Sequence, residues 1–153
     1  MTEQHPIQLV EILVSRLSIV INDNMSAQEF DGDITLSMQR GTSNFDPLDE
    51  HIAVGMRAHV VPDQGESIEP SFEIEVELNG QFKVDYDRFN FEDLERWALV
   101  NAPTLLLPYV REQIYGLGLR AGLKNMIIPL FVQPKQVRKV DATPDAPANS
   151  STT

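Results

Sequence analysis

The chain contains no cysteine among its 153 residues. This excludes disulfide frames, thiolate nucleophiles and cysteine-ligated zinc, and it fits a reducing compartment, so a cytoplasmic setting is expected. Positive charge is scarce: 12 Lys and Arg stand against 23 Asp and Glu, for a net charge of −11. Phosphate neutralisation needs a basic surface, so nucleic-acid binding is excluded as a class. No apolar run approaches the roughly 18 residues of a spanning helix. The opening MTEQHPIQLV also lacks the basic start and apolar stretch of a secretory leader, so no membrane insertion is expected.

Catalytic patterns are lacking too. No G-x-S-x-G, Walker sequence or H-E-x-x-H occurs, so no nucleophile, phosphate cradle or zinc protease site is legible. His51 and His59 fall on one face of one strand, but eight residues at about 3.3 Å each hold them roughly 26 Å apart, too far to share a metal. The DGD at 31–33 has no partner ligands of a calcium loop. GLGLRAG sits late in a helical segment, with the wrong spacing for a dinucleotide fingerprint. The expectation is a protein that is not an enzyme and needs no metal or cofactor.

The length suits one domain able to bury its own core. The reading assigns a flexible N-terminus over 1–6, a folded unit over 7–132 and a disordered tail over 133–153, where the sequence turns polar and proline-containing. Charge is unevenly placed: residues 1–95 carry 20 acids against 5 bases, and 96–153 carry 3 against 7.

Four strands are expected. IQLVEILVSRLSIVI over 7–21 is a long first strand with Ile7, Leu9, Leu13, Leu17, Ile19 and Ile21 in one phase, partly apolar on both faces. NDNMSAQEFDGD then reads as a crossover loop. Residues 34–40 and 52–61 alternate cleanly. In SFEIEVELNGQFKVDYD the Asn79-Gly80 pair is a strong hairpin signal, yet a two-residue turn would set apolar residues against charged ones at each step. Left unfolded, Phe72, Ile74, Val76, Leu78, Phe82 and Val84 stay in phase, so one long strand is predicted with Gly80 at a bend or bulge. The row Glu73, Glu75, Glu77 falls on its other face.

A short amphipathic helix is expected over NFEDLERWALVN, capped by Asn90. A second, long helix follows from Pro103, kinked at Pro108, whose missing N–H frees the Thr104 carbonyl. Gly116 and Gly118 each cost about 1 kcal/mol inside a helix relative to Ala, which close approach of another backbone would offset. The result is an α+β chain whose first strand, long helix and MIIPLFV segment carry more apolar surface than one sheet and two helices can cover. Self-association or binding of apolar partners follows.

The stretch APTLLLPYVREQIYGLGLRAGLKNMIIPLFV resembles the signature of SecB, the protein-export chaperone. The likeness rests on Pro103, Leu106, Pro108, Tyr109, Arg111 and Pro129, with the four-strand order and FEIEVELNGQFKV upstream, and spans roughly residues 7–132. It implies a four-stranded antiparallel Greek-key sheet with a short and a long kinked helix on one face. It also implies a homotetramer, a dimer of dimers, with Leu13, Leu17, Ile19, Gly116 and Gly118 at subunit interfaces. The implied activity is nucleotide-independent holding of unfolded polypeptides, with Met25, Phe30, Ile127, Ile128, Leu130 and Phe131 as client-binding residues. The implied partner surface for the SecA motor is the outer sheet face with Glu73, Glu75 and Glu77.

The chain departs from the family where the motor docks. First-strand acids are replaced by Arg16 and Val20, and QPKQVRKVDATPDAPANSSTT is not amphipathic where the family has a second long helix and a motor-binding tail. A SecB-like chaperone dedicated to one partner, such as an antitoxin, is therefore an alternative to general export. A non-chaperone scaffold or apolar-ligand binder on the same fold is another.

Overall fold

The structure, a computed structural model, describes residues 2–65, 69–124, 126–128 and 137–139. Its elements are β1 (Ile7–Ile21), α1 (Asn24–Glu29), β2 (Ile34–Thr42), β3 (His51–Pro62), β4 (Phe72–Val84), a 3₁₀ turn (Phe91–Asp93), α2 (Leu94–Arg120) and β5 (Val137–Lys139). The sheet order is β1-β4-β3-β2-β5. The first four strands pair antiparallel, and β5 adds in parallel beside Met38–Arg40 of β2. The remainder of the tail expected over 133–153 lies outside the described residues.

β4 is one strand across Asn79-Gly80, as the register argument required. The bulges are elsewhere: β1 shifts register against β4 between Leu9 and Glu11 and between Val14 and Arg16. Each shift inserts one residue and turns over the alternation that follows. Ile12 and Val14, opposite Gly80 and Leu78, therefore join Leu17, Ile19 and Ile21 on the inner face. Leu13, opposite Asn79, points to the outer face and leaves the phase the sequence assigned to it. Gly80 has a different task from bending the strand. A Cβ there would lie 2.6 Å from Leu106 Cδ2 and 2.9 Å from Phe82, so the missing side chain is the seat for α2.

The crossover, expected as a loop, contains the helix α1. Asp23 accepts a hydrogen bond from Ser26 N–H at 3.0 Å, an N-cap that starts α1, and Ala27 packs into the core. The cap was hidden among residues that also favour turns.

The expected pair of helices is one helix. Asn90 caps the 3₁₀ turn by accepting from Glu92 N–H, and α2 then runs unbroken through Pro103 and Pro108. Pro103 lacks the donor that would bond the Leu99 carbonyl four residues back. That carbonyl instead accepts from the Arg40 guanidinium on β2. Pro108 frees the Thr104 carbonyl on an exposed residue, where water can reach it.

Two of the glycines have local causes. Gly122, at φ +75°, ends α2 in a Schellman motif, with Leu123 N–H donating to Gly118 O at 2.9 Å and Gly122 N–H to Leu119 O at 3.1 Å. The chain then doubles back along the helix. A Cβ on Gly118 would meet Met126 Cγ at 2.6 Å, so this close approach is within the chain.

The core lies between the inner faces of β3 and β4 and one side of α2, and includes Val60, Ile74, Val76, Leu78, Phe82, Leu106 and Ile114. Trp97 packs edge-on against Phe82, with ring centres 5.2 Å apart.

Candidate functional site: an apolar groove and a paired acidic face

α1 ends at Phe30, and a short acidic turn through Asp31 and Asp33 leads into β2. Phe30 is anchored by an edge-to-face contact with Phe72, at 5.5 Å between ring centres. Ile34 and Leu36 follow on the inner face of β2, pack against the core and stay partly exposed. On the other side the returning segment 126–128 is fixed by Arg111, whose Nε donates to Ile128 O at 3.1 Å. Met126 and Ile128 are buried, while Ile127 between them is 67 % exposed.

These pieces enclose a groove of about 440 Å³, lined by Phe30, Ile34, Leu36, Met126, Ile127 and Ile128, with Asp31, Asp33 and Lys124 at its rim. The depression is open, and its lining joins six apolar side chains to two carboxylates and one ammonium, which suits an apolar segment that also carries charge. Among the described residues no three His, Asp or Glu side chains come close enough to hold a metal. No described helix is long and apolar enough to cross a membrane.

Of the residues singled out as client-binding, Phe30, Ile127 and Ile128 come together here. Met25 does not line the groove; it sits on α1 with its side chain exposed. Leu130 and Phe131 lie outside the described residues. The sequence reading missed Ile34, Leu36 and Met126, because strict alternation marks core positions without telling a covered strand from an uncovered one.

The outer sheet face is different in character. Glu73, Glu75 and Glu77 form a row, and each has a cationic or imidazole partner across the strands. Glu73 meets His59 at 3.3 Å, Glu75 meets Arg16 at 2.7 Å and Glu77 meets Arg57 at 3.0 Å. The hydrogen bond from Arg16 is the main reason that the Glu75 carboxyl is held below its ordinary value, and the same bond raises the Arg16 guanidinium. Arg16 reaches the middle acid of this row from β1.

Apolar surface also remains uncovered on β1, where Val10, Leu13, Val14, Leu17 and Val20 are exposed, while Ile19 is partly buried. β1 is an edge strand with no neighbour beyond it among the described residues. On α2, Leu105, Tyr109, Tyr115 and Leu119 face away from the core, near the partly buried Gly116, whose added Cβ would meet nothing closer than Arg120 at 3.7 Å.

No protein-family model matches the sequence, and no curated protein matches it significantly. Solved structures do. A SecB-like chaperone of Mycobacterium tuberculosis, determined with a ChAD peptide from an antitoxin, aligns at a TM-score of 0.63 with 20% identity, covering 84% of this chain and 93% of its own. A protein of unknown function from Streptococcus agalactiae aligns at 0.38 with 11% identity, covering 73% and 86%, a likeness too weak to argue from. The strand order, the long helix on one face and the extent of the first alignment agree: this chain has the SecB-like fold.

Proposed function

We propose that the chain is a SecB-like chaperone that holds unfolded or non-native polypeptides without nucleotide. The observation that carries this reading is the open groove at Phe30, Ile34, Leu36 and Ile127, walled by apolar side chains and edged by Asp31, Asp33 and Lys124. A non-native segment would be held by burial of apolar side chains at about 25 cal/mol per Å². Such binding is non-directional, so it would accept many sequences. Met25, Leu130 and Phe131 would extend the same surface.

The working form is a homotetramer in which apolar surface on β1 (Leu13, Leu17, Ile19) and around Gly116 on α2 is covered by other copies. An apolar edge strand of this length invites pairing, and closed pairing removes the hazard. The setting would be the cytoplasm, where clients meet the chaperone before folding or export.

The two forms of the reading differ in partner. Docking of the SecA motor on Glu73, Glu75 and Glu77 would use a row in which Glu75 and Glu77 are already paired with Arg16 and Arg57. A row so paired steers a basic partner weakly. The structural neighbour was determined with an antitoxin peptide. Both observations favour a chaperone dedicated to one partner over a general export chaperone.

The test is light scattering from a chemically unfolded, aggregation-prone protein diluted into nucleotide-free buffer with near-stoichiometric amounts of this protein. Suppression across unrelated clients supports a general holdase, and suppression for one partner alone supports the dedicated form. No suppression for any client would leave a non-chaperone scaffold or apolar-ligand binder on the same fold.

A further inference from the structure

The sheet has two edges, and only one of them is left open among the described residues. β1 has no neighbour on its outer side, whereas β2 is met by Val137–Lys139 of the C-terminal segment. Val137 pairs with Met38, Arg138 with Gln39 and Lys139 with Arg40. The strand is three residues long and parallel to β2. Parallel pairing is the weaker kind per residue, and so short an edge strand is marginal by itself. It is therefore easily displaced.

The same strand that receives the tail also forms one wall of the groove. Ile34 and Leu36 line the groove, and Met38, where the tail begins to pair, is four residues beyond Ile34, or about 13 Å along the strand. An extended segment with its side chains in the groove would run beside β2 and meet the edge that the tail holds. Main-chain bonds to a free edge add affinity without reading sequence, which is what a holder of unfolded chains needs. The tail also has suitable chemistry: an apolar residue followed by Arg138 and Lys139, in the basic part of an otherwise acidic chain.

We propose that the outer edge of β2 is a strand-addition site for extended, apolar and basic client segments, and that Val137–Lys139 is an intramolecular occupant which clients displace. This rests on the chaperone reading above. The tail keeps the edge from pairing with wrong partners while no client is present, and competes with clients when one arrives.

The experiment uses the full chain and the double variant V137P/K139P, because proline removes the donors that a strand needs. Two readouts are taken. Hydrogen exchange at the amides of Met38–Arg40 reports pairing with no client present. Fluorescence anisotropy of a labelled, permanently unfolded protein reports affinity. The expected result is faster exchange at the β2 edge in the variant, an unchanged unfolding midpoint, and client binding about 3- to 10-fold tighter, as removal of an internal competitor predicts.

If exchange at the β2 edge is the same in both proteins, the tail does not occupy it and the proposal falls. Faster exchange with unchanged or weaker client binding overturns the competition and leaves the groove reading standing. Faster exchange with no binding of any client by either protein overturns the chaperone reading together with the competition.

Discussion

β4 and β1 lie side by side, and β1 is the richer in Ile, Leu and Val, with 10 of its 15 residues against 4 of 13 on β4, yet its apolar side chains are the less buried. On β4 every residue of the inner phase from Phe72 to Val84 is buried. On β1 the partner of fully buried Leu78 is Val14, 44 % exposed, and the partner of Val76 is Leu17, also 44 % exposed. Composition alone would bury β1 the more deeply; position reverses the order. β4 has a strand on each side and α2 above it, whereas β1 has one neighbour, two bulges and little cover from the helix. The apolar residues left over at the edge stay exposed among the described residues.

Paired substitutions sharpen this contrast. Leu78→Ala should cost about 2–5 kcal/mol of stability, as deletion of a close-packed Leu does. Its neighbour Val14→Ala should cost under about 0.5 kcal/mol in the isolated subunit. Denaturant titration of both variants measures the difference, and equal costs would mean that β1 is as covered as β4.

Gly80→Val probes the seat of α2. With Leu106 Cδ2 at 2.6 Å from the added Cβ, a loss of about 1–3 kcal/mol is expected by the same titration. Arg40→Ala removes the donor that satisfies the carbonyl freed by Pro103 and should cost about 1–3 kcal/mol. A thermal midpoint unchanged in this variant would show that α2 tolerates Pro103 without help.

Leu13→Asp, on the outer face of β1, should leave subunit stability nearly unchanged but lower the mass seen by light scattering behind a sizing column, if β1 is the association edge. Glu75→Gln carries the smallest effect. The Glu75 carboxyl is held below its ordinary value of 4.5, first by its hydrogen bond from Arg16. Its contribution is therefore complete above that value and is lost as the pH falls below it. Urea midpoints of the variant should fall less steeply with acid than those of the parent, over about pH 6 to pH 3.

Much of this architecture is legible in the sequence, and the exceptions have physical causes. β4 was read through Asn79-Gly80 because register outweighs turn chemistry when both flanks alternate. The long strand β1 was legible, but the side its residues face was not, because bulges at Val10 and Ser15 depend on pairing with β4. Two prolines suggested two helices, since the Arg40 side chain that rescues the Leu99 carbonyl lies on another element. Phe30, Ile127 and Ile128 could be singled out through a family resemblance, whereas Ile34 and Leu36 needed the return of segment 126–128 beside β2.

The central claim is that the groove beside β2 holds non-native chains through apolar burial. It is tested most directly by titrating a permanently unfolded protein into the parent and into Ile127→Ser by calorimetry. Ile127 is the most exposed of the apolar groove residues, so the fold should not suffer. The account predicts binding with a negative heat-capacity change, the mark of apolar burial, and a loss of roughly 5- to 30-fold in affinity for the variant, as removal of about 1–2 kcal/mol of apolar contact implies. Equal binding by both proteins, or binding with no heat-capacity change, would contradict it.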